Sequence, residues 1–209
     1  DPVIDLENLA GGLPDGLLLE GDGTYRWSGD EHVEIHGTLD GDRIRGDEGD
    51  DAIWGYGGND RIEGGSGNDA LVGGQGDDII TDSFGDDNIK GKQGNDAIHL
   101  GAGIDLGLGG SGDDFIVNGG GDGSTIFAGL GNDIIVGTSG RTTVFGGEWD
   151  DWVQGSSNAD LLQGDNADQF QNDTLGGNDV VIGGLGNDDI EGEGGDDVLV
   201  GAAVGTDRY

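Results

Sequence analysis

The sequence predicts an all-β chain wound as a solenoid of short strands and tight turns. Three observations carry that expectation. The pattern recurs every nine residues, glycine and small polar residues fill the first six positions of each copy, and a large aliphatic returns at the eighth. The stretch GGSGNDALVGGQGDDIIT, Gly64 to Thr81, is one such nonapeptide written twice.

Each part of the nonapeptide has a local role. Glycines tolerate positive φ and close backbone approach, so the first six positions make a turn. The last three, such as ALV, suffice for a short strand whose middle residue faces inward and whose neighbours face outward. Successive copies begin at Gly46, Gly55, Gly64, Gly73, Asp82, Gly91, Leu100 and Gly109. Their sixth positions are Asp51, Asp60, Asp69, Asp78, Asp87, Asp96, Asp105 and Asp114. Their eighth positions are Ile53, Ile62, Leu71, Ile80, Ile89, Ile98, Gly107 and Ile116, and Gly107 predicts a local void. An earlier copy from Gly37 adds Asp42 and Ile44.

After Val117 the phase slips by a residue. Ser124 and Thr142 then stand at acid positions, while Asp133, Asp151 and Asp160 restore the acid. The segment GDNADQFQND, Gly164 to Asp173, fits no copy and reads as an inserted loop. Three further copies carry Asp179, Asp188 and Asp197. The chain thus divides into an N-terminal cap or first rung (1–36), regular repeats (37–117), irregular repeats (118–173), and final repeats with a cap or truncated rung (174–209).

Composition explains why such a chain needs help to fold. The 209 residues include 50 glycines, only 32% are hydrophobic, and the net charge is −36 from 44 acids against 8 bases. Composition alone would place it among disordered chains. Collagen is excluded by 2 prolines and the wrong period. The charge opposes nucleic acid and anionic membranes and favours cations. No apolar run approaches the roughly 20 residues of a membrane span. Without cysteine, disulfides and thiolate sites are impossible, so a metal is the leading staple. The start at Asp1, with no Met and no visible signal peptide, suggests an excised or mature piece, and GAAVGTDRY suggests continuation past Tyr209.

Two nonapeptides make one circuit, and circuits stack about 4.8 Å apart. One edge should therefore carry Asp51, Asp69, Asp87, Asp105, Ser124, Thr142, Asp160, Asp179 and Asp197. The other should carry Asp42, Asp60, Asp78, Asp96, Asp114, Asp133, Asp151 and Asp188. Bare carboxylates about 5 Å apart repel by roughly 3 kcal/mol at an effective dielectric near 20. Several such terms rival the whole stability of a domain, about 5–15 kcal/mol. Ca²⁺ answers this chemistry, because it is hard and takes 6–8 oxygens, whereas Mg²⁺ demands a stricter octahedron.

The pattern G-G-x-G-x-D-x-U-x, over about Gly37 to Val200, resembles the RTX (hemolysin-type) calcium-binding nonapeptide family. The resemblance implies a right-handed parallel β-roll with multiple Ca²⁺ ions held between stacked turns. Each ion would take carbonyls of positions two and four and the acid of one turn, with carbonyls of positions one and three and the acid of the next. One site would use Gly65, Gly67 and Asp69 with Asp82, Phe84 and Asp87; another Gly74, Gly76 and Asp78 with Gly91, Gln93 and Asp96. Further residues carried over are Gly58, Gly64, Ser66, Gly73, Gln75, Gly85, Gly94, Gly109, Gly110, Ser111, Gly112, Gly131, Gly184 and Gly186, along with the acid column itself. Sites beside Ser124 and Thr142 depart from the pattern.

The family also implies a secreted or cell-surface bacterial protein that leaves through type I secretion machinery and folds on extracellular calcium. The tract from Gln163 to Val200 is similar to repeat tracts attached to large secreted bacterial haem peroxidases of the animal type. RTX tracts accompany proteases, lipases, epimerases and toxins as well, and any catalytic domain would then lie outside these residues. No nucleophile–base pair or redox site is visible. The paired acids Asp77 and Asp78 recur with the nonapeptide, so turn chemistry explains them better than glycosidase catalysis. His32, His36 and His99 are scattered and read as surface histidines. GDGST, Gly121 to Thr125, reads as a defective repeat and not as a phosphate loop. An alternative function is an adhesin or polysaccharide-binding surface using Trp54, Trp149 and Trp152.

Overall fold

The computed structural model describes residues 2–29, 31–165 and 176–201. GDNADQFQND from Ala167 onward, its preceding Asn166, and all of GAAVGTDRY beyond Gly201 lie outside the described residues. Among the described residues, ten strands form one sheet and eleven form a second. From Tyr25 onward consecutive strands alternate between the two, so the chain winds as a parallel β-roll. Ala52–Gly57, Ala70–Gln75, Asn88–Gln93, Leu106–Ser111 and Ser124–Leu130 stack in the first sheet. Arg43–Glu48, Arg61–Ser66, Ile79–Thr81, Ala97–His99 and Phe115–Asn118 stack in the second.

The register follows from the repeat. Ile53 pairs with Leu71, Leu71 with Ile89, and Ile89 with Gly107. Ile44, Ile62, Ile80, Ile98 and Ile116 form the matching column opposite. These eighth-position aliphatics are essentially inaccessible to solvent, and their strand neighbours face outward. β-branched side chains at this position suit a pleated surface, and facing columns bury each other.

The N-terminal segment supplies the first rungs. Val3–Asp5 pairs in parallel with Glu34–His36, a 3₁₀ helix spans Leu6–Gly11, and Leu17–Leu19 runs antiparallel to Tyr25–Trp27. Ile4, Leu6, Leu17 and Trp27 join the core there, with Trp27 Nε1 donating to the Glu31 carbonyl at 3.1 Å.

Three expectations are corrected. Many strands are six residues long, not three, because positions one to three of the turn stay in the ladder: Tyr56 pairs with Gly74 and Gly57 with Gln75. The expected void at Gly107 is filled. Leu100 is fully buried, and a Cβ added to Gly107 would lie 2.9 Å from Leu100 Cδ2. Finally, Asp179 and Asp197 fall on the edge of Asp151, and Asp188 on the edge of Asp160. Asp151 N–H donates to Asp179 Oδ1 and Asp160 N–H to Asp188 Oδ1, each across 28 residues where regular circuits take 18. Gly164 and Gly176, which flank the extra residues, stack on Gly147 and Trp149 of one and the same turn, so no half-circuit separates the two flanks.

Candidate metal centres

The turns owe their shape to positive φ at positions two and four. Gly65 and Gly67 have φ of 130° and 131°, and a Cβ on either would lie 2.0 Å from the carbonyl oxygen of Asp47 or Gly49 one circuit earlier. Glycine is therefore required both by conformation and by close stacking. The predicted fourth-position glycines Gly58, Gly67, Gly76, Gly85, Gly94, Gly112, Gly131 and Gly186 all have φ between 89° and 145°. At position two, Gly65, Gly74, Gly110 and Gly184 behave alike, whereas Asp47, Tyr56, Lys92 and Glu193 accept φ of 75°, 76°, 92° and 70°.

Position six then points its carboxylate inward. One oxygen is used along the axis: the N–H groups of Asp42, Asp60, Asp78 and Asp96 donate to Oδ1 of Asp60, Asp78, Asp96 and Asp114 at 2.8 Å each. The same ladder continues from Asp114 through Asp133, Asp151 and Asp179 to Asp197. On the other edge it joins Asp51, Asp69, Asp87 and Asp105, then ends on Ser124 Oγ. Thr142 N–H resumes it onto Asp160.

The second oxygen is left over. Oδ2 of Asp51, Asp60, Asp69, Asp78, Asp87, Asp96, Asp105, Asp114, Asp133, Asp151 and Asp179 is buried with no hydrogen-bond donor. Where the turn begins with glycine, Oδ2 lies above that glycine: a Cβ on Gly55, Gly73 or Gly91 would come within 2.0–2.1 Å of Oδ2 of Asp60, Asp78 or Asp96. First-position glycine thus keeps open the cradle that the carboxylate enters, and Gly64 and Gly109 do the same for Asp69 and Asp114.

A buried, unpartnered carboxylate oxygen is costly unless a proton or a cation answers it. Burial, more than the neighbouring acids, pushes Asp60 and Asp96 up to about 7 and Asp114 and Asp151 to about 8. Burial likewise raises Asp51 and Asp179 to about 7, and Asp78, Asp87, Asp105 and Asp133 to about 6. The all-oxygen donor set of carboxylates and turn carbonyls fits a hard divalent ion. Third-position carbonyls retain capacity for it. Those of Phe84 and Gln93 accept Gly67 and Gly76 N–H at 2.9 and 2.8 Å, using one of two lone pairs.

The family model described as the RTX calcium-binding nonapeptide repeat matches four stretches, residues 36–71, 72–106, 145–168 and 172–203, together more than half of the 209 residues. The chain belongs to the RTX calcium-binding nonapeptide repeat family. No curated protein matches it. RTX repeats bind calcium, and the buried, acid-rich turns of this RTX chain suit multiple ions.

The RTX turns bring together most of the residues expected from spacing, and show four side-chain arrangements that spacing alone does not give. Asp82 replaces a first-position glycine, and its carboxylate enters the site: ligand atoms of Asp69, Asp82 and Asp87 lie within 4.8 Å of one another. Burial raises Asp82 to about 9, reinforced by the charge of Asp87. Asp165 is buried as well, accepts Gly177 and Gly194 N–H at 3.2 and 2.9 Å, and lies close enough to raise Asp151 and Asp179. Both departures are visible as an extra acid in the first or second position, a signal that reads as noise until the cradle is seen.

The third feature is position five. Asn59 Oδ1 accepts Asp77 N–H at 3.1 Å, Asp77 Oδ1 accepts Asn95 N–H at 2.9 Å, and Asn95 Oδ1 accepts Asp113 N–H at 2.9 Å. The recurring Asn/Asp pair at positions five and six clamps each turn in both axial directions. The fourth is a neutral patch where the acids fail. Ser124 Oγ donates to Gly103 O at 3.2 Å, and buried Asn118 Nδ2 donates to Thr142 Oγ1 at 2.8 Å. Ser124 and Thr142 are fully buried there in place of carboxylates.

The tryptophans do not form one platform. Trp54 lies on the first sheet, Trp152 on the second, and Trp149 at a turn position. Among the described residues, no helix is long and apolar enough to cross a membrane.

Proposed function

We propose that this chain is a calcium-triggered folding and stability module of a larger secreted bacterial protein, and that it assists type I secretion by staying unfolded where calcium is scarce. The observation that supports this reading is the column of buried carboxylate oxygens without donors. A coil with that column ionised is disfavoured without cations, and a cation-loaded one is closed. With each site at tenfold its dissociation constant, binding adds about 1.4 kcal/mol per site, and many sites add up to a decisive total. The ion-holding residues would be the position-six acids of adjacent circuits with carbonyls of positions one to four, plus Asp82 and Asp165 at their turns. The parent's activity resides in other residues, as in a haem peroxidase or another RTX enzyme.

The test is a calcium titration of dialysed, calcium-free chain, followed by circular dichroism and calorimetry. Strand signal should rise cooperatively as calcium binds. An unchanged spectrum, or an equal response to magnesium at the same concentration, would overturn the proposal.

A further inference from the structure

The outer face of the first sheet carries a groove of about 680 Å³, and the turns that border it offer calcium only backbone carbonyls, which leaves its side chains uncommitted. Trp54 and Tyr56 form one wall and Lys90 and Lys92 the other, with Val72 and Gly74 on the rung between. The walls are two rungs apart, about 10 Å, which admits one flat ring. Gln75 and Gln93 line the same groove with amides.

Four observations meet at this place. Lys90 and Lys92 are the chain's two lysines among 44 acids, yet no described carboxylate lies within 4.0 Å of either ammonium. Tyr56 and Lys92, at φ of 76° and 92°, are two of the second-position residues, with Asp47 and Glu193, that carry a side chain where other turns have glycine, and these two face each other across the groove. Side chains retained in that conformation store strain, which is a mark of functional sites. Gly74 between them cannot carry a side chain, since its Cβ would lie 2.2 Å from Tyr56 O, so the slot stays open. Lastly, one face of Trp54 is stacked on His36 at 4.8 Å and 6°, and His36 Nδ1 lies 2.6 Å from Tyr56 Oη. This fixes the aromatic wall and leaves the other indole face looking along the column toward Val72.

We propose that this groove binds an acidic oligosaccharide, a chain of sugar rings bearing carboxylates. The free indole face and Tyr56 would stack on the apolar face of a ring. The two unpaired ammonium groups would meet its carboxylates, and the glutamine amides its hydroxyls. A neutral glycan would leave both lysines unanswered, and an acidic peptide would leave the aromatic wall unused. Calcium bound in the turns offsets much of the net charge that would otherwise repel a polyanion.

The test uses the full chain at a large excess of calcium, with circular dichroism confirming the fold in every sample. Binding is read by calorimetry and tryptophan fluorescence. The probes are an oligo-uronate hexamer, a neutral oligoglucoside hexamer and hexaglutamate. The oligo-uronate should bind tightest. A Lys90→Gln/Lys92→Gln variant should bind it about tenfold more weakly, and Tyr56→Gly, which restores the usual second-position residue, several-fold more weakly. Unchanged oligo-uronate affinity in both variants would overturn the proposal. So would hexaglutamate binding as tightly as the uronate, or the neutral glycan doing so. Any of these failures leaves calcium-triggered folding standing, because that is read independently from the dichroism.

Discussion

Leu100 occupies the space that a side chain on Gly107 would need, with Leu100 Cδ2 only 2.9 Å from the place of the missing Cβ. The two belong to one nonapeptide, in which the first and eighth positions have exchanged bulk. Leu100→Ala should open a cavity and cost about 2–5 kcal/mol, measured by denaturant unfolding at saturating calcium. Leu100→Gly combined with Gly107→Ile should recover most of that loss. If the double variant is as unstable as the sum of the singles, the exchange of bulk is not what fills the core.

The acid columns make opposite predictions with and without metal. In the metal-free fold, burial holds Asp60 and Asp96 near 7 and Asp114 and Asp151 near 8, against an ordinary value of 3.8. Their pKa values are raised in the compact form, so that form binds protons more strongly than the unfolded chain. The resulting stability is complete below 3.8 and lost as pH rises through 7 to 8. Dialysed calcium-free protein should gain strand signal on acidification from pH 8 to 5. Calcium affinity should fall over the same range as protons compete for the carboxylates. Dichroism and calorimetry across pH check both, and parallel trends would contradict the scheme.

Asp78→Ala and Asp96→Ala should lower calcium stoichiometry, since each removes a buried acid from adjacent circuits. Asp122→Ala should leave it unchanged. Asp122 is exposed and accepts Arg141 N–H at 2.9 Å instead. Calorimetric ion counts decide the matter, and equal losses would refute the register.

Position five separates clamping from metal binding. Asn59→Ala or Asn95→Ala removes an axial acceptor for Asp77 or Asp113 N–H. Each should cost about 0.5–1 kcal/mol in thermal unfolding at saturating calcium, with the ion count intact. A changed count would make position five a ligand.

Much of this architecture was legible as text because a nine-residue period converts one local rule into a whole coil. Ile53, Leu71 and Ile89 announce their own pairing once the period is set. Three things escaped, each for a physical reason. The edge assignment of Asp179, Asp188 and Asp197 depends on whether the insertion consumes a half-turn, which length does not decide. The filling of Gly107 depends on a side chain seven residues away that departs from its own pattern. The roles of Asp82 and Asp165 depend on the direction of a carboxylate, and identity alone does not carry direction.

The 28-residue circuit has a consequence of its own. Leu162 still meets Ile190 and Val153 still meets Val181 on either side of the enlarged corner. A length change at a bend is therefore absorbed where it occurs and is not passed down the axis. Such corners are where new segments could be grafted onto this spool without rethreading it.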